Sequence, residues 1–241
     1  MLEASRVKIT EAIRMRGETD KLMSSLWVAA PLIGWASAVL LAIVAFYMKL
    51  GTIATVTIVV IGYIIVIVLI VYPLYHLIKR RSAHFIRDAA LREGTIGYLK
   101  AKVGKREGEI STEIATMNLI HSEAMGEERE KSAVMWTIIA VLVPFVGIYV
   151  LYFLTVDPPN HDQRQLSFMQ QVQSAWGKLG MTLVVPTWKV LPKRSFALYF
   201  IITLIIGLFA LYWYYVLIKD FNEHFKAQWQ FEDQLVSSIS R

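Results

Sequence analysis

Between Leu26 and Leu77 the chain carries one formally charged side chain, Lys49. The blocks on either side of it, Leu26 to Met48 and Thr52 to Leu77, hold no Asp, Glu, Lys or Arg, and neither do Ala133 to Val156 or Phe196 to Ile218. At about 1.5 Å of rise per residue, each block is long enough as a helix to cross a hydrocarbon core of about 30 Å. A helix buried in a soluble domain rarely stays apolar on every face for so long. The fold class expected is therefore all-α: an integral membrane protein with four apolar helical segments, joined by amphipathic cytoplasmic or interfacial helices.

Composition agrees with this. Of the 241 residues, 56% are hydrophobic and 18% charged, and the charges fall almost entirely between the apolar blocks. The polar segments are too short and interrupted to bury large independent cores. The net charge of +6 is explained by basic flanks that orient membrane segments and meet anionic lipid, so nucleic acid is not an expected partner. The absence of cysteine excludes disulfides, thiolate metal sites, iron–sulfur clusters and a thiol nucleophile. Residues 1–25 read as a charged amphipathic helix rather than a cleavable signal peptide, because a full-length apolar run follows.

Lysine and arginine give the orientation. Arg6, Lys8, Arg14, Arg16 and Lys21 precede the first block, and eleven basic residues lie between Lys79 and Lys131. Only Lys49 marks the tip between the first two blocks. A multi-pass cell-membrane protein with a cytoplasmic N-terminus and an extracytoplasmic tip follows. No block has an ionisable residue in its interior of the kind that transporters and pumps use, which argues against a monomeric transporter.

The most informative feature is an internal repeat. A shift of 63 residues places Tyr149, Tyr152, Leu154, Asp157, His161, Gln165 and Phe168 on Tyr212, Tyr215, Leu217, Asp220, His224, Gln228 and Phe231 without a gap. A weaker copy lies in the second block, where Tyr72, Tyr75, Leu77, His84 and Leu91 follow the same spacing. Each copy should be one supersecondary unit. The division expected is an N-terminal helix (1–25), a transmembrane hairpin (26–78), a cytoplasmic helical segment (79–130), a membrane repeat unit (131–193) and a second one (194–241). Breaks at Pro144–Gly147 and at Gly207 leave two solutions for the last two blocks, a kinked span or a re-entrant pair of half-length arms. Asp157-Pro158-Pro159 reads as the cap and first turn of a new helix that lies along the membrane.

The last copy, with Thr203, Gly207, Tyr212, Trp213 and Tyr215, resembles an uncharacterised prokaryotic multi-pass membrane domain family of unknown function. That resemblance implies membrane location and no particular activity.

The repeated residues Tyr72, Tyr75, His84, Tyr149, Tyr152, Asp157, His161, Gln165, Tyr212, Tyr215, Asp220, His224 and Gln228 are the candidates for interfacial or lipid contact. The tyrosines read as interfacial anchors, and the histidines as residues of a repeated interfacial slot. A repeat reproduces residues without a shared ligand. No catalytic residue, metal site or cofactor is therefore expected, and His161→Ala and His224→Ala should leave any metal content unchanged. No hydrolase, zincin or kinase motif is present. The function expected is a non-enzymatic membrane scaffold or accessory subunit organising lipid or a protein partner, which includes a homo-oligomer. Alternatives are an enzyme acting on lipid headgroups through the repeated His/Asp face, or a small oligomeric channel.

Overall fold

A computed structural model describes residues 1–240, with all their side chains except those of Lys105, Glu107 and Pro144. Arg241, the last residue of the second repeat unit, lies outside the described residues. The described residues are all-helical, with no strand. Helices α1 (Leu2–Arg14) and α2 (Arg16–Thr19) precede a 3-10 turn at Ser25–Ala29, and α3 (Ala30–Tyr47) continues from it. The long helix α4 (Thr52–Val103) leads through a second 3-10 stretch, Gly104–Ile110, into α5 (Ser111–Glu127). Then come α6 (Ala133–Leu142), α7 (Pro144–Lys178), α8 (Phe196–Ile205) and α9 (Phe209–Ile239).

These helices form three hairpins, α3/α4, α6/α7 and α8/α9. Each begins with a serine whose hydroxyl accepts a backbone N–H of the coming turn: Ser24 from Leu26, Ser132 from Met135 and Ser195 from Leu198. The caps supply acceptors that the first turn of a helix lacks. In the first hairpin the chain reverses at Met48–Gly51, with Lys49 at φ 49°. Two glycines let its arms approach closely. A Cβ on Gly34 would lie 3.2 Å from the Val66 Cα, and one on Gly62 would lie 3.3 Å from the Ala38 Cα.

In the second and third hairpins the first arm is only ten residues long. Val143 and Ile206, equivalent by the 63-residue shift, both leave the helical region (φ −126°, ψ 98° and φ −121°, ψ 85°) and send the chain back. Aromatic rings join the arms at equivalent positions, Trp136 on Tyr149 at 5.4 Å and Tyr199 on Tyr212 at 6.3 Å. The last two apolar blocks are thus turned-back hairpins and not single straight helices. Two helical stretches, Ser25–Tyr47 and Thr52–Val103, are long and apolar enough to cross a membrane, and most of their apolar windows are exposed.

The expected new helix at Asp157 does not form: α7 runs unbroken through Pro158 and Pro159. Proline costs an interior hydrogen bond, but buried anchors stand on both sides, Phe153 and Leu154 before the pair and His161 after it. The apolar stripes that follow, suited by sequence to the membrane surface or to neighbouring helices, face other helices. Met169, Val172 and Trp176 are fully buried in one cluster with residues of α1, α4, α5 and α9, and Phe221 and Phe225 pack against Phe85.

Candidate metal centre

The second halves of α4, α7 and α9 run parallel and share a seam. Leu77, Leu154 and Leu217 form one buried layer, His84, His161 and His224 the next, and Leu91, Phe168 and Phe231 a third. The layers are seven residues apart along each helix, the spacing at which helices in a bundle return the same face to one another. Between the second and third layers, four residues after each histidine, stand Asp88, Gln165 and Gln228. The Gln165 and Gln228 amides both donate to Asp88 Oδ1, each at 2.8 Å. Equivalent residues meeting in the same order require helices of one direction, so the three copies of the repeat close around a pseudo-threefold axis.

The three imidazole rings form a nearly equilateral triangle, with centroids 5.0, 4.9 and 4.9 Å apart. His84 Nε2 lies 3.1 Å from His161 Nε2 and 3.0 Å from His224 Nε2. The rings are 0–2% exposed. The residue after each histidine touches the next ring around the triangle. Phe85 stacks on His161 at 4.4 Å, Asp162 accepts from His224, and Phe225 packs on His84 at 4.7 Å.

Every Nδ1 faces a carboxylate. Asp20 lies 2.9 Å from His84 Nδ1, and Asp162 lies 2.7 Å from His224 Nδ1. Glu128 lies 2.9 Å from His161 Nδ1, a charge-assisted contact not aligned as a hydrogen bond. Burial works to raise all three carboxylates, yet the facing histidines, joined by Arg87 at Asp20 and by Arg92 and Arg164 at Glu128, hold them below their ordinary values. Burial drives His84 down to about 4 and lowers His161. Burial thus favours the uncharged form of these two rings, and a carboxylate at Nδ1 favours the tautomer with the ring proton there. The Nε2 atom of His84 faces those of the other two histidines.

Three imidazole nitrogens turned toward one another, all within 4.8 Å, could share one cation. A tetrahedral ion with metal–nitrogen bonds of about 2.0–2.1 Å keeps its nitrogen ligands about 3.3 Å apart, a few tenths of an ångström wider than here. Carboxylates behind the imidazoles are the outer partners that metal-ligating histidines use. Asp88 Oδ2 lies 3.9 Å from His161 Nε2, on the side where a fourth ligand would approach, while the leucine layer closes the other side.

The charge of the surroundings agrees with a divalent ion. Asp20, Asp88, Glu128, Asp162 and Glu232 are all buried within this network. Opposite them, Arg87 donates to Asp20 and Glu232, Arg92 to Asp88 and Glu128, and Arg164 to Glu128. Arg16, 3.9 Å from Glu232, adds a fourth guanidinium, and burial pushes Glu232 itself up to about 7. The network is left with a small acidic excess, which a cation among the histidines would offset.

The repeated tyrosines differ in exposure from the repeated histidines. Tyr72, Tyr149, Tyr152, Tyr212 and Tyr215 are exposed and Tyr75 is half-buried. Asp157 and Asp220 sit at the edge of the bundle, held by Arg81 and Arg194. His84, His161, His224, Gln165 and Gln228, by contrast, are not interfacial at all: they are the interior of the bundle. The premise that no histidines form a close ligand set is also overturned. A sequence signal existed, since each histidine has an apolar core residue seven before and seven after it. Asp20 and Glu128 each stand four residues before the serine that opens a hairpin, Ser24 and Ser132; the third copy has Leu191 there, and Asp162, the residue after His161, supplies the carboxylate instead. Compared with protein-family models, curated proteins and solved structures, the chain gives no match.

Proposed function

We propose that this protein is a membrane-anchored helical scaffold whose bundle is locked by one divalent transition-metal ion, zinc in the first instance, held by His84, His161 and His224. The observation that carries this reading is the triangle of Nε2 atoms with every Nδ1 turned to a carboxylate. Neutral imidazoles with oxygen support suit zinc, which accepts tetrahedral nitrogen and oxygen ligands without redox chemistry. Full burial of the rings favours a structural ion over a catalytic one, because a catalytic zinc keeps a position open to substrate. Each repeat would then contribute one ligand, so the metal joins all three hairpins.

Anchoring in a membrane is supported by the exposed apolar faces of α3 and the first half of α4, where Trp35, Leu40, Ile53 and Tyr63 are all exposed, since contiguous apolar surface of this kind marks membrane or partner contact. The ten-residue arms α6 and α8 have the length of re-entrant halves, about 15 Å each. Re-entry also keeps the three histidines on one side.

Elemental analysis of protein purified without chelators should give about one zinc-class ion per chain. His161→Ala should lose most of it. Wild-type protein without stoichiometric metal, after refolding in the presence of zinc, would sink the reading. Independently, Thr52→Cys in this cysteine-free chain should react with an impermeant thiol reagent in intact cells. Labelling confined to lysed cells would reverse the orientation.

A further inference from the structure

The three copies differ at one corner. In the second and third, the residue four before the histidine is an aspartate paired to a cation at the start of its hairpin. Lys131 lies 3.9 Å from Asp157, and Arg194 donates to Asp220 at 2.8 and 3.0 Å. In the first copy that position is Arg80, and the residue before the hairpin serine is Met23, so a cation stands where the others have the aspartate.

Arg80 is 3% exposed. It donates to Asn222 Oδ1 and to the Leu217 and Ile218 carbonyls, but its Nε has no hydrogen-bond partner and no carboxylate pairs with it among the described residues. Beside it is a hollow lined by Lys21, His76, Lys79 and Arg80, with Glu18 as the carboxylate among its lining residues. Lys79 is held over the Tyr75 ring at 5.6 Å. A buried cation without a counter-ion beside two exposed lysines is an arrangement that lacks its anion.

We propose that this hollow binds a phosphate group, which takes at the first hairpin the place that Asp157 and Asp220 take at the others. His76 and Lys79 follow directly on the apolar half of α4. On the membrane-anchored reading, on which this source rests, the phosphate belongs to an anionic phospholipid headgroup. Free phosphate would use the same chemistry.

The test uses the full chain in detergent, equilibrated with mixed micelles of equal phosphatidylglycerol and phosphatidylcholine, with retained lipid quantified by mass spectrometry. Wild-type protein should enrich phosphatidylglycerol, and Lys21→Ala/Lys79→Ala should reduce that enrichment about fivefold per lysine removed. Both lysines are exposed, so unchanged metal content and melting temperature certify the variant's fold. Calorimetry with inorganic phosphate forms the second arm. Heat in the wild type that is lost in the variant, without lipid preference, supports the site and assigns free phosphate as the source. Equal retention of both lipids with no phosphate heat overturns the proposal, as does enrichment that the double variant leaves unchanged. Extraction of the chain from membranes by alkaline carbonate would refute anchoring alone, since phosphate heat would persist.

Discussion

The two halves of α4 are built on opposite principles. Residues 52–77 hold no charge and pack mainly through small residues: Gly62 takes the backbone of Ala38, and Val66 takes Gly34. Residues 78–103 bury four arginines, a histidine and an aspartate among other helices. Close backbone approach stabilises the first half through dispersion and depends on shape alone. The second half depends on charge partners at Arg81, Arg87 and Arg92, with Arg80 held by carbonyls instead, because an unpaired buried charge costs more than the pair contributes. One continuous helix therefore has an end tolerant of polarity loss but not of bulk, and an end tolerant of neither.

The largest effect that separates the halves should come from Arg87. Its guanidinium donates to Asp20 at 2.7 Å and to Glu232 at 2.6 Å, all three groups being buried. Arg87→Ala would strand two carboxylates, one of which orients His84, and should cost about 3–5 kcal/mol. Thermal unfolding in detergent checks this, and a loss below about 1 kcal/mol would mean the network is not coupled as its geometry implies. Gly62→Leu should act only on the other half. Its new side chain meets the Ala38 backbone, so the hairpin must part at a cost of about 1–3 kcal/mol. Metal stoichiometry should stay at the wild-type value, and its loss would show that the two halves are not separable.

This division also explains what the sequence made legible. The helical class, the apolar blocks, the turn at Lys49 and the equivalence of the copies follow from composition and period, which are local properties. The repeat even marked the seam, since Leu77, His84 and Leu91 lie seven apart. Their burial was missed because an interfacial slot explains a lone histidine as well as a core position does. Only association of three copies distinguishes the two, and association is not written in any one copy. The carboxylates behind the rings were harder still. Asp20 and Glu128 share a spacing, four before Ser24 and Ser132, but the third copy has Leu191 there and takes Asp162 from beside a different histidine, so the spacing does not recur in all three copies. The continuity of α7 through Pro158 and Pro159 likewise comes from packing that outweighs a local stop signal.

The smallest effect expected is one of pH, at Glu232. Burial pushes this carboxyl up to about 7, although Arg87 and Gln228 favour its ionised form. In the unfolded chain it titrates near the ordinary glutamate value of about 4.3. The folded state thus holds the proton more tightly than the unfolded state. The stability this gives is fully present below the unfolded value and is lost as pH rises through about 7. Glu232→Gln keeps the shape and cannot ionise, so it removes that dependence. It also weakens the contact with Arg87, which limits any gain. The variant should be less stable than, or equal to, the wild type at pH 5. Relative to the wild type it should improve by about 1–2 kcal/mol between pH 5 and pH 8. Parallel melting curves at the two pH values read this directly. A constant difference would mean that Glu232 titrates alike in both states, and that the excess negative charge around the histidines is relieved elsewhere in the network.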